Sequence, residues 1–344
     1  MIKVDLITGF LGSGKTTFIK KYAKYLNSKG IKICILENDY GAVNIDVALL
    51  EEIRSDMCGV EMIVGGDGRD AHKRRLKTKL ITLAMSGYQR VIIEPSGIFD
   101  MDEFFDTLYE APLDNWYEIG SVIAIAPADL EDKLSEKSDY VLASEIADAG
   151  VVVLSKTEEA FDTKIDRVKE HIRSALLNIS VKRKDIFGSK EAFDSFFINK
   201  GKEELSDADF EKIARAGYVH GDYEKRQLDD NSDYTSLYLF GVKLSKDELI
   251  SNIKRVMDDP ECGNIIRIKG FAKADSSDAI DTDDETCNTK PCDNKGYIEI
   301  NATKNKMTYE HILSAQEVLI VIGENLNPQR IGHYFPTADF NELI

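Results

Sequence analysis

The feature that most constrains this chain is its start, where a hydrophobic segment runs straight into a glycine-rich loop. Residues 2–8 read as a buried strand. Gly9-Phe10-Leu11-Gly12-Ser13-Gly14-Lys15-Thr16 then fits G-x-x-x-x-G-K-[ST] at every fixed position. Residues 17–26 follow as a helix whose Phe18, Ile19, Tyr22 and Leu26 form one apolar stripe. Strand, loop and helix in this order read as a phosphate-binding loop. Glycines let the backbone turn successive N–H groups inward into an anion nest, and the positive end of the helix lies beneath it. The expected nucleotide contacts are Gly9, Gly12, Ser13, Gly14, Lys15, Thr16 and Thr17. Lys15 reaches the β- and γ-phosphates, and the Thr16 hydroxyl ligates Mg²⁺.

Composition narrows the partners. With 61 acidic against 44 basic residues the formal net charge is −17, and a surface of that sign is a poor match for nucleic acid. No apolar run approaches the ~18 residues of a membrane span. The opening residues lack a signal-peptide layout, which leads to the expectation of a cytoplasmic protein. The five cysteines, Cys34, Cys58, Cys262, Cys287 and Cys292, are too few and scattered for a disulfide framework. Reduced thiols are expected.

Strand and helix patterns alternate through the first half, as a mostly parallel sheet requires. Strands are expected at 32–37, 60–64, 90–94, 121–126 and 151–155, with helices at 70–85, 101–108, 145–149 and 163–178. Residues 182–230 turn polar and less periodic, and read as the end of the first domain plus a connector. A second unit then shows strands at 235–244, 264–271, 297–301 and 317–322, a helix at 246–258, and a closing helix after residue 327. The expected fold is therefore α/β: a P-loop NTPase domain over 1–230 with a mostly parallel sheet, and a smaller α+β domain over 231–344.

Four further landmarks follow the loop in order. Glu37-Asn38-Asp39-Tyr40-Gly41, with Asp46 after it, resembles the switch segment of the CobW-like GTPases. Val91-Ile92-Ile93-Glu94-Pro95-Ser96-Gly97 is similar to that family's Walker B strand ending in E-x-x-G. Ser155-Lys156-Thr157-Glu158 stands where its N-K-x-D base-recognition motif belongs. In the second unit, Arg267-Ile268-Lys269-Gly270-Phe271 resembles the R-x-K-G-F strand of the family's C-terminal domain. The resemblance runs from residue 2 to about 335 and implies GTP-dependent metal delivery, with GTP and Mg²⁺ as cofactors. It also implies roles. Glu94 holds a magnesium-bound water, the Gly97 amide senses the γ-phosphate, and Asp46 positions the attacking water. Ser155, Lys156 and Glu158 read the base, with ATP the fallback should guanine recognition fail.

Two departures from the family pattern stand out. Members bind metal partly through a C-x-C-C motif, and here Asp67, Arg69 and Asp70 occupy those places. Thiolates hold zinc-like metals, whereas carboxylates favour hard cations, and an arginine repels either. Ala42 replaces a glutamate that often follows the switch glycine. Glu37, Asp39 and Asp67 are left as candidate oxygen ligands, and recruiting Cys58 would take a rearrangement because it precedes its strand. The second departure is Ser155 for asparagine, which is expected to loosen the bracing of the base loop. The basic run Lys73, Arg74, Arg75, Lys77 and Lys79 reads as a solvated helix face, and the five dispersed histidines as structural.

The leading expectation is a slow GTPase that inserts or protects a metal in a client metalloprotein or corrinoid protein, acting as a nucleotide-dependent homodimer. A nucleotide-gated regulator that carries no metal, and a P-loop kinase acting on a small molecule, stay open as alternatives.

Overall fold

The computed structural model describes residues 1–39, 50–64, 69–95, 101–158, 161–200, 204–223, 235–273, 296–312, 315–336 and 339–341. The chain divides into two compact units, Met1–Gln227 and Leu228–Ile344.

In the first unit, β1 (Ile2–Thr8), β2 (Ile33–Asp39), β3 (Cys58–Val64), β4 (Arg90–Glu94), β5 (Tyr117–Pro127), β6 (Val151–Ser155) and β7 (Phe197–Ile198) form one sheet in the order β3-β2-β4-β1-β5-β6-β7. Every pairing is parallel. The central strands are buried along most of their length, as a sheet covered on both faces demands. From β1 the chain passes to one side of the sheet, and from β5 to the other. The carboxyl ends of β1 and β5 therefore flank a topological switch point, the place where open α/β sheets bind ligands.

Helix α1 (Lys15–Ser28) covers the sheet through Phe18, Ile19, Tyr22, Ala23 and Leu26, all buried. Its stripe packs with Ile7, Ile33, Ile35, Val60, Ile123 and Ile125 in a single core. Next come α2 (Arg69–Ala84), α3 (Met101–Tyr109), α4 (Glu136–Ala147) and α5 (Asp162–Asn178). The helix expected at 145–149 in fact begins nine residues earlier, at Glu136. Ser135 caps it by accepting from the Ser138 amide, so Glu145 lies in its last turn.

Residues 182–223 are not a bare connector. They carry the short helices Lys184–Phe187 and Lys190–Ser195, the strand β7, and the helix Asp207–Ala214. The last of these begins with a reciprocal capping box between Ser206 and Asp209 and buries Phe210 and Ile213 in the core. Phe210 stacks on Tyr25 at 5.3 Å between ring centroids. Polar residues dominate the segment because only one face of each short element is covered.

The second unit is an antiparallel sheet in the order β11-β10-β9-β12-β8-β13. Its strands are β8 (Thr235–Phe240), β9 (Asn264–Lys273), β10 (Tyr297–Ala302), β11 (Met307–Ile312), β12 (Val318–Glu324) and β13 (Asp339–Asn341). Helix Lys246–Asp258 puts Leu249, Ile253 and Val256 into a core with Ile268, Ile298, Ile300, Leu319 and Val321. Two strands were not expected. β11 is an edge strand whose inner four residues are all exposed, so no apolar alternation marks it, and β13 is three residues long.

Candidate nucleotide site

The loop between β1 and α1 gathers its residues at the switch point. Gly9 has φ +134°, and a Cβ there would lie 2.2 Å from the Ile125 carbonyl oxygen of β5, so only glycine fits. Gly14 takes the left-handed conformation (φ 91°, ψ 26°) just before Lys15 opens α1. No side chain caps that helix, so its first-turn amides and positive end face the loop. Ser13 N–H donates to the Phe10 carbonyl at 3.1 Å, closing the turn. The Ser13 hydroxyl is 1 % exposed and has no hydrogen-bond partner among the described residues. A buried hydroxyl in that state fits a loop built for a polar ligand.

Lys15 lies across this loop. Its Nζ donates to the Gly9 carbonyl at 2.8 Å and stands 3.8 Å from Glu94 Oε1. Glu94 ends β4, and in the parallel register it is paired with Glu37 of β2. Both glutamates are buried. Two carboxylates on neighbouring strand ends beside a lysine form an oxygen-rich set suited to a hard cation. Thr16 is half-buried and Thr17 exposed on the first turn of α1.

The base loop approaches from β6. Ser155 Oγ donates to the Ser13 carbonyl at 2.5 Å, and the Ala128 amide donates to the Ser155 carbonyl at 2.8 Å. A hydroxyl on the shorter side chain thus ties the base loop to the phosphate loop. Lys156 is left-handed (φ 54°), with its Nζ 3.4 Å from Asp129 Oδ2, and Glu158 is exposed. No motif points to Asp129, which follows β5 without a pattern of its own.

A further buried group touches the loop from below. Glu145 Oε2 accepts from the Gly9 amide at 3.0 Å, and the Glu145 carbonyl accepts from the Thr8 hydroxyl at 2.6 Å. Loss of water pushes its carboxyl up to about 7, against the pull of Lys15 and of the Gly9 N–H.

Asp46, Asp67 and Gly97 lie outside the described residues, as does the side chain of Asp39. Of the candidate metal ligands this leaves Glu37, Thr16 and Glu94, and no group of three or more His, Cys, Asp or Glu among the described residues could hold a metal ion. Cys58 does not precede β3, as expected, but is its first residue, and it is fully buried. Its register partner, Ile33, opens β2. Six residues of strand put it about 20 Å from Val64 at the other end. Burial pushes the Cys34 thiol up to about 12 and the Cys58 thiol up to about 11. Part of the basic run is taken up internally. Lys73 and Lys77 both bind Glu110, at 2.9 and 2.7 Å, and Lys79 binds Glu61 at 2.9 Å. His72 is buried, and desolvation first, then Arg75, lowers its pKa.

A family profile described as the CobW/HypB/UreG nucleotide-binding domain matches residues 3–181. The chain belongs to this family. The match takes in all of β1 but its first residue, the phosphate loop, and β2 to β6. Zinc chaperone YeiR of Escherichia coli (strain K12) is 30 % identical over 160 residues, 46 % of this chain and 47 % of that protein. Zinc chaperone YjiA of the same strain is 28 % identical over 186 residues, 52 % and 55 %. The chain thus spans about half the length of the curated relatives it matches. Among solved structures, Zn(II)-bound YjiA GTPase from E. coli aligns over 97 % of each chain at 15 % identity and a TM-score of 0.39. HypB from Helicobacter pylori in complex with nickel aligns over 51 % of this chain and 74 % of its own at 19 % identity and a TM-score of 0.33. No helix among the described residues is long and apolar enough to cross a membrane.

Proposed function

We propose that this protein binds guanosine triphosphate with Mg²⁺, hydrolyses it slowly, and uses the cycle to deliver or protect a metal in a client protein. One observation carries the nucleotide part. Gly14's left-handed turn, the uncapped start of α1, and Lys15 beside Glu94 meet at the carboxyl ends of adjacent parallel strands. Thr16 and Glu94, the latter through a water, would hold Mg²⁺, with Glu37 alongside. Bound there, the ion neutralises charge on the β- and γ-phosphate oxygens. Lys15 exchanges the Gly9 carbonyl for phosphate oxygens. Ser155 keeps the base loop in place, while Glu158 accepts from guanine and the Lys156 stem covers the ring. Asp46 and Gly97, proposed from the sequence alone, position the attacking water and sense the γ-phosphate. No arginine among the described residues is identified as a finger, and slow turnover until a partner or a second protomer completes the site is part of this reading.

Metal as cargo is supported by family membership and by the zinc chaperones among the relatives. A second reading, a nucleotide-gated regulator without metal, draws support from the aspartates and arginine in place of cysteines and from the buried, protonated Cys34 and Cys58. Calorimetry and phosphate release test the first claim. Lys15→Ala removes a charge-assisted contact worth about 1.5–3 kcal/mol, so GTP affinity falls about ten- to a hundredfold. Undiminished GTP turnover in Lys15→Ala would overturn the assignment. Titrating Zn²⁺, Co²⁺ and Ni²⁺ with and without GTP separates the two readings. Nucleotide-dependent binding at about micromolar Kd supports the chaperone, and no binding supports the regulator.

A further inference from the structure

Beneath the phosphate loop a single residue, Glu145, holds both residues at which β1 becomes the loop. Thr8 is tied to the backbone carbonyl of Glu145 and Gly9 to its carboxylate. Gly9 is confined from the other side by the Ile125 carbonyl, so its peptide is clamped between β5 and α4. The same Gly9 offers its carbonyl to Lys15 at 2.8 Å. One residue, through the peptide groups on either side of its Cα, therefore links Glu145 to the lysine that the phosphates will recruit. We infer that Glu145 is a positioning residue of the phosphate loop, and that it takes up a proton as a polyphosphate enters the loop above it.

The charges around it give this direction. Lys15 of α1 is the cation whose field reaches Glu145. Glu94, at the end of β4, acts through Lys15, which it meets at 3.8 Å. Among the described residues, the β1 end brings the uncharged Thr8 and Gly9 to Glu145. On α4 itself Asp139 is engaged by His171 of α5 at 2.7 Å, six residues before Glu145. Without nucleotide, Lys15 supports the ionised carboxylate against burial. When phosphates arrive, Lys15 turns to them and a net negative charge settles above the loop. The ionised carboxylate then loses its cation and gains a repulsive neighbour, so the neutral acid is favoured. Neutral Glu145 still accepts from the Gly9 N–H through one oxygen and carries the proton on the other.

The sign follows from linkage. The group's pKa is higher with nucleotide bound than without it. Affinity is therefore full below the nucleotide-free value, about 7, and is lost as pH rises through the bound value. This rests on the reading of the loop as a nucleotide site, and calorimetry of the intact chain with Mg²⁺ and GDP separates the two. Wild-type protein should take up a fraction of a proton near neutral pH, read from buffers of different ionisation enthalpy. Its affinity should fall about tenfold between about pH 6 and 8.5. Glu145→Gln keeps the acceptor for Gly9 without the charge. It should hold wild-type low-pH affinity with that pH dependence removed, which also subtracts the titration of GDP itself. Wild-type proton uptake persisting unchanged in Glu145→Gln overturns the inference and leaves the nucleotide site standing. Absence of GDP binding in both proteins overturns both. Should Glu145→Gln fail to fold, the wild-type uptake above about pH 7.5, where the GDP phosphates are fully ionised, decides alone: no uptake there sinks the inference.

Discussion

Deleting the carboxylate of Asp5 should destabilise the first unit severely and leave the nucleotide site intact. Asp5 lies in the middle of β1 and is fully buried. It accepts from Arg90 Nε at 2.5 Å and Nη2 at 2.8 Å, from the Tyr22 hydroxyl at 2.8 Å, and from the Ser121 amide at 2.9 Å. Among the described residues Arg90 has one further hydrogen-bond partner, the Ala214 carbonyl at 2.8 Å, and its guanidinium lies over the Tyr22 ring at 5.9 Å. In Asp5→Ala the guanidinium stays buried with no carboxylate, hydrogen-bonded to that carbonyl, and Tyr22 and Ser121 lose their acceptor. Breaking a buried pair from one side costs about 3–5 kcal/mol, a large part of the 5–15 kcal/mol that holds a typical domain together. Trp116 is the chain's only tryptophan, and its carbonyl accepts from the Ile2 amide at the foot of β1, so its emission reports on this unit. With a urea slope of about 3 kcal/mol/M, the midpoint should fall by about 1 M or more. Asp5→Leu combined with Arg90→Met removes both charges and should recover at least about half of the loss. Thr8 is three residues further on, about 10 Å away, so GTP affinity measured on folded protein should stay within about twofold. A midpoint shift below about 0.3 M, or a double variant no better than Asp5→Ala, would refute the reasoning.

Two other outcomes follow from the site. Ser155→Ala removes the bond that joins the base loop to the phosphate loop, about 1 kcal/mol, so GTP affinity should drop about fivefold by calorimetry and return in Ser155→Thr. With Cys287→Ser and Cys292→Ser in place, the remaining Cys34, Cys58 and Cys262 are all buried, and burial raises each thiol. They should react with a disulfide reagent at about pH 8 only on unfolding, more than about a hundredfold slower than a free thiol. A rapid equivalent in the native protein would return Cys58 to consideration as a metal ligand.

Much of this molecule was legible in the sequence because its central strands are continuous apolar runs. Residues 90–94 and 151–155 matched β4 and β6 at both ends, since a strand covered on both faces announces itself by composition alone. Residues 182–223 were not legible for the opposite reason. Phe197–Ile198 is a two-residue strand at the sheet's edge, and its neighbouring helices are four to eight residues long, too short to establish a period. In the second unit β11 shows solvent on its inner four residues, which hides the alternation that marks a half-buried strand.

The site divides along the same line, and Glu145 shows why. A motif lists residues whose spacing is local, such as Gly14, Lys15 and Thr16, and the backbone carries them together wherever the strand, loop and helix form. Glu145 reaches Gly9 across 136 positions, and nothing near it in sequence marks it. The expected helix at 145–149 even placed it at a helix start, where a glutamate is welcome and solvated. In the last turn of a helix that begins at Glu136 it is instead turned into the protein, against a peptide of the loop. The nine-residue difference between the expected and the observed start of that helix would mean little for packing. For charge it decides whether a carboxylate meets water or Lys15, and only the assembled sheet, with β1 and β5 side by side, sets that.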